Sequence, residues 1–156
     1  GPTMTNEIKE REKRYKHLMA RRNQLGNINN PFQQQETYKR VLFVCSAGLL
    51  RSATAAHVFS GEPYNWNTRT AGVSVEYALN PVTEALLTWA DKVYCMEWEH
   101  HTELKYIFGE TFDDLLESRG EHFIEVLQIP DVFLYRDPKL VALLTEKIPT
   151  SENVTR

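Results

Sequence analysis

The run Val41-Leu42-Phe43-Val44-Cys45 is apolar at every position and rich in β-formers, and it stops at a short loop behind which residues 52–60 (SATAAHVFS) have a helical composition. A strand with no polar face must be covered on both sides, which is the situation inside a parallel sheet rather than at a half-wet antiparallel one. The rest of the chain agrees. Residues 66–73 read as a second strand, and 81–90 (PVTEALLTWA) as a helix with Asn80 as its cap and proline in its first turn. Residues 92–96 read as a third strand, 97–108 as a helix closed by Gly109, and 111–118 as a short helix. Residues 122–129 supply a fourth strand and 138–147 (PKLVALLTEK) a last helix capped by Asp137, while Ser52 is expected to cap the first. Alternation of this kind predicts an α/β fold, a three-layer sandwich around a four-stranded parallel sheet.

Charge divides the chain. Residues 1–40 hold nine Lys or Arg against four Asp or Glu, a balance of +5, and residues 41–156 hold nine against seventeen, a balance of −8. Residues 1–37 are therefore read as a separate N-terminal extension and 38–156 as the α/β domain. Gly1-Pro2 ahead of Met4 reads as the remnant of a cleaved tag. Residues 5–25 have a thin apolar stripe and opposite charges four apart, Glu10 with Arg14 and Glu12 with Lys16, which suits an exposed helix. Residues 27–35 read as a linker. Lys13, Arg14, Lys16, Arg21 and Arg22 also make the segment a candidate arm for an anionic partner such as nucleic acid. No run reaches the roughly 18 apolar residues that a membrane span needs, and the polar start is unlike a secretory signal, so no membrane is expected and a cytoplasmic location is.

Ligands of open parallel sheets gather beyond the carboxyl ends of the strands, and the first strand ends at Cys45. From there the chain runs Cys45-Ser46-Ala47-Gly48-Leu49-Leu50-Arg51-Ser52. A loop of this length between a strand and a helix turns successive backbone N–H groups toward one point, which suits a tetrahedral phosphate. Ser46, Ala47, Gly48, Leu49 and Leu50 supply that cradle, with Gly48 free to turn tightly. Arg51 adds a planar fork for two phosphoryl oxygens. The same positive field favours the thiolate of Cys45, and the Ser52 hydroxyl stands where it can donate to that sulfur. A cysteine that ends a buried strand is otherwise only a small core residue, and that is how Cys95, inside a strand without a basic neighbour, is read. Two cysteines are too few for a disulfide framework or a zinc site.

These residues resemble the low-molecular-weight protein tyrosine phosphatases, most closely a short bacterial and phage-type branch. The pieces that carry the resemblance are VLFVCSAGLLRSATAAHVF at 41–59, RTAGV at 69–73, WADKVYCMEWEHHTEL at 89–104 and IPDVFLYRDPKLVALL at 129–144. The resemblance implies a phosphomonoesterase, with neither cofactor nor metal, in which Cys45 attacks phosphorus, Arg51 holds the phosphoryl group and a late aspartate is the general acid. Asp131 follows the last strand directly, whereas Asp137 precedes a proline as the family's acid usually does but has a sufficient role as helix cap. Asp131 is the first choice and Asp137 the alternative. Substrates implied are a phosphorylated protein or a small phosphomonoester, phosphotyrosine first, with a nucleotide or RNA-end phosphate if the basic arm takes part. The chain departs from the family at Gly48, where many relatives have a bracing asparagine, and at Leu50, where many have a second cysteine. Bracing of the loop must come from elsewhere.

Rival readings are an arsenate reductase, which would need further cysteines to discharge its intermediate, and a phosphate-binding module without turnover. His57, His100, His101 and His122 lack metal-ligand spacing and read as surface or partly packed residues. Phe133 and Tyr135 offer an aromatic wall beside the acid or simply pack. Thr70-Ala71-Gly72 is small enough to pass under the loop.

Overall fold

The computed structural model describes residues 39–48, 50–74, 76, 78 and 80–152. The expected N-terminal helix, its linker, its basic arm and Leu49 lie outside the described residues. Four strands, β1 (Arg40–Cys45), β2 (Asn67–Gly72), β3 (Lys92–Cys95) and β4 (Ile124–Val126), form one sheet in the order β2-β1-β3-β4. All pairings are parallel, with Val44 opposite Ala71 on one side and Cys95 on the other.

β1, apolar from Val41 to Cys45, is central because both its faces are covered. Val41, Phe43 and Cys45 point into a core shared with Ala55, Ala56 and Phe59 of α1 (Arg51–Ser60) and Leu140 and Leu144 of α5 (Pro138–Lys147). Leu42 and Val44 point the other way, toward Leu87 of α2 (Glu84–Trp89), Leu104 of α3 (Trp98–Phe108), and Phe112 and Leu115 of α4 (Glu110–Arg119). The three-layer sandwich predicted from the strand pattern is what forms. On the first face Phe43 stacks between Phe59 and Tyr94, both at 5.7 Å, and Trp66 stacks on Phe59 at 5.3 Å. Truncating a ring from this stack, as in Phe43→Ala, costs roughly 3–5 kcal/mol. Among the described residues no helix is long and apolar enough to cross a membrane.

Three differences from the sequence reading have a physical reason, the other elements keeping their predicted bounds to within one residue. The second helix starts at Glu84, not Pro81, and its cap is Thr83, whose Oγ1 accepts the Leu86 N–H at 3.1 Å. Asn80 and Pro81 instead extend the edge of β2. The Asn80 carbonyl accepts the Gly72 N–H at 3.0 Å, its Nδ2 donates to the Thr70 carbonyl at 2.6 Å, and Pro81 bridges to Gly72. Strand β4 spans only 124–126: Phe123 ahead of it donates its N–H to the Gly120 carbonyl, and Gln128 behind it turns to φ +57°, although Leu127 and Ile129 still donate to the Cys95 and Met96 carbonyls at 2.9 and 2.8 Å. Finally, α1 begins at Arg51 with no side-chain cap, so Ser52 is not the cap; its hydroxyl is used elsewhere. Asp137 does cap α5, accepting the Lys139 N–H at 2.9 Å.

Candidate active site

The sheet changes winding direction at β1, since β2 lies on one side and β3 on the other, and the loop after Cys45 opens at that point. Its path is fixed by the chain that follows β2. The Cys45 carbonyl accepts the Val73 N–H at 3.0 Å and the Ser46 carbonyl the Ser74 N–H at 2.8 Å. Gly48 has φ +76°, and a Cβ on it would stand 3.0 Å from the Ala71 carbonyl carbon, so the turn suits glycine in both conformation and space. The expected passage of Thr70-Ala71-Gly72 beneath the loop is what the structure has.

Cys45 lies at the floor of the loop with 3% of its surface exposed. Its Sγ receives the Gly48 N–H at 3.1 Å and lies 3.0 Å from the Ser52 Oγ. Arg51 opens the helix behind it with 3% of its side chain exposed. Its Nη1 donates to the Ile129 carbonyl at 2.8 Å and to the Glu97 carboxylate, and its Nε lies 3.7 Å from Asp131 Oδ1. Two loops beyond carboxyl strand ends thus meet on one guanidinium. Asp131 is open to solvent, with 62% of its side chain exposed. Asp137 is taken up as the α5 cap, so of the two aspartates Asp131 is the one beside Arg51. Tyr135 packs with Ala47, Leu50 and Ala53 against the loop, and Phe133 packs against the first core face.

Cys95 belongs to the opposite face of the sheet from Cys45, among Leu42, Val44 and Val93. Burial pushes its thiol up, with a further contribution from Cys45. It is a core residue, as its sequence context predicts, and it is not aimed at Cys45.

The sequence reading missed Glu97 and His100. His100, expected at the surface or partly packed, is fully buried. Its Nδ1 accepts the Glu97 N–H at 3.0 Å, and its Nε2 lies 3.1 Å from the Ser46 Oγ. Burial, and then the Arg51 guanidinium, hold its pKa down to about 4. The signal that could have found both residues is their position just past the carboxyl end of β3, beside the end of β1. His57, His101 and His122 stand apart: His57 meets Arg136 on the surface, His101 packs on Trp98 and Phe112, and His122 is exposed.

No protein-family model matches the chain, and no curated protein matches it. Solved structures do. A low-molecular-weight protein tyrosine phosphatase from Streptococcus pyogenes aligns at 16% identity and TM-score 0.53, over 70% of this chain and 87% of its own. The Wzb protein of Vibrio vulnificus, solved with benzylphosphonate, aligns at 18% and 0.53, over 70% and 94%. The YwlE arginine phosphatase, in a cysteine-to-serine variant phosphorylated on the active-site serine, aligns at 22% and 0.52, over 73% and 97%. With the sheet order, the loop after β1 and these likenesses together, the chain has the fold of the low-molecular-weight protein tyrosine phosphatases.

Proposed function

We propose that the chain is a cysteine-dependent phosphomonoesterase that works through a phosphocysteine intermediate on phosphotyrosine or another aryl phosphate. The observation that carries this is the environment of one sulfur: an amide and a hydroxyl within 3.1 Å of it, in a loop closed by an arginine that two other segments hold in place. A buried structural cysteine needs none of these groups.

In the proposed reaction the phosphate ester sits in the loop with its oxygens on the amides and on Arg51, whose Nη1 is already committed to Glu97 and Ile129, leaving Nε and Nη2 for the phosphoryl group. The Cys45 sulfur attacks phosphorus in line, the P–O bond to the leaving group breaks, and Asp131 gives its proton to the departing oxygen. Asp131 then takes a proton from a water whose oxygen attacks phosphorus. The S–P bond breaks, inorganic phosphate leaves and the thiolate returns. Ser52, donating to the sulfur, favours it both as nucleophile and as leaving group. The position of Asp131 beside Arg51 supports it over Asp137 as the acid.

An aromatic leaving group suits Tyr135, which lies against the loop, and a protein of the same fold was solved with benzylphosphonate. Another of that fold is an arginine phosphatase, so the deciding assay compares an aryl phosphate, a phosphotyrosine peptide and a phosphoarginine peptide, each with wild type and Cys45→Ser. Turnover of the first two, lost in the variant, is expected. Equal rates for wild type and Cys45→Ser would reject the enzyme, and preference for phosphoarginine would reject the substrate class.

A further inference from the structure

His100 joins the two halves of the site, and it does so in one tautomer. The Glu97 N–H can only donate, so Nδ1 must accept it and the ring proton sits on Nε2. Nε2 therefore donates to Ser46 Oγ, 3.1 Å away. This excludes a serine–histidine nucleophile, in which Nε2 would have to accept the hydroxyl proton. It also speaks against a metal: Glu97, Glu99 and His100 bring ligand atoms within 4.8 Å of one another, but both ring nitrogens are already engaged.

One end of this chain of contacts is the phosphate loop at Ser46. The other is Glu97, which fixes Arg51 through its carboxylate. Ser46 is two residues from Gly48, which has no side chain to hold the loop from within.

We propose that His100 is a positioning residue that braces the phosphate loop, tying Ser46 through its Nε2–H to the Glu97 turn that aims Arg51. The inference rests on the phosphatase reading for its meaning in catalysis, but the brace itself concerns how the loop grips phosphate. A ring buried without solvent contact and kept neutral holds both bonds across ordinary pH.

The test separates the two bonds. An asparagine at position 100 keeps an acceptor where Nδ1 stands and loses the reach to Ser46; a glutamine keeps the far donor and loses the near acceptor. Ser46→Ala removes the other end of the brace with little effect on volume. For wild type, Ser46→Ala, His100→Asn, His100→Gln and the double variant Ser46→Ala/His100→Asn, one measures inorganic phosphate affinity by calorimetry, kcat and KM on an aryl phosphate, and the thermal midpoint. Ser46→Ala and His100→Asn should each weaken phosphate binding by about three- to tenfold, the range of one hydrogen bond. The double variant should be no weaker than either single one, because both remove the same bond. His100→Gln should retain phosphate affinity better than His100→Asn.

Additive losses in the double variant, or unchanged phosphate affinity with a lowered thermal midpoint, would overturn the brace. Phosphate binding reports on it even if wild type turns over no ester, so failure of the enzyme reading and failure of the brace give different results.

Discussion

Gly72 passes directly under Ser46: a methyl group on Gly72 would fall 2.5 Å from the Ser46 carbonyl oxygen and 2.7 Å from the Ala47 carbonyl carbon. Both neighbours are backbone, so neither can swing aside as a side chain would. Gly72→Ala must lift the loop after Cys45 off β2 or push the strand down. Overpacking of this kind costs typically 1–3 kcal/mol of stability, and a displacement near 1 Å of a positioned group costs about a hundredfold in rate. Urea unfolding and kcat/KM on an aryl phosphate would both fall. A variant of wild-type activity would mean that the loop has slack.

Arg51 is fixed by Ile129 and Glu97, which makes Arg51→Lys a sharper test than loss of charge. An ammonium is a single point with no second edge, so it cannot both keep those partners and span two phosphoryl oxygens as the proposed reaction requires. The expected loss in kcat/KM is on the order of a hundred- to a thousandfold, the cost of one missing donor to a charge that develops in the transition state. A lysine variant as active as wild type would show that charge alone is required.

How much of this was legible in the sequence follows from what each residue depends on. The β1 run and the loop after it could be read because their signals are local: apolar residues without alternation, then Cys45, Gly48 and Arg51 at fixed spacing. Thr83 and Asn80 were harder, since which of them caps α2 depends on whether Gly72 needs a partner across space. Gln128, just past the end of β4, takes a positive φ that has no sequence mark. Glu97 and His100 look like the charged start of an exposed helix. Only the parallel pairing of β1 with β3 brings them over Arg51 and Ser46, and that pairing joins residues about fifty positions apart.

Asp131 and Asp137 separate cleanly by substitution. If Asp131 protonates the leaving oxygen, Asp131→Asn should cost about a hundred- to ten-thousandfold in kcat on a substrate with a poor leaving group, and much less on one whose leaving group departs without a proton. Asp137→Asn should change neither, since asparagine caps a helix about as well as aspartate, whereas Asp137→Ala should lose roughly 1 kcal/mol of stability without a selective loss of rate. The reverse pattern, with the leaving-group effect at position 137, would transfer the acid to Asp137.

The last prediction concerns stability in acid. His100 has its pKa held down to about 4 in the folded protein, first by burial and then by Arg51, against 6.5 for the free side chain. As pH falls below 6.5 the unfolded chain takes up a proton at this position while the folded chain does not, so the unfolded state binds more protons and stability declines. The decline from this group ends near pH 4, where the folded ring protonates as well, and it amounts at most to about 3 kcal/mol. An asparagine at position 100 has no such proton to bind. The urea midpoint of His100→Asn should therefore fall less than that of wild type between pH 7 and pH 4, the remaining carboxylates and histidines being common to both. Parallel profiles would mean that His100 is as easily protonated folded as unfolded, and a ring that readily takes a proton on Nδ1 could not be accepting the Glu97 amide.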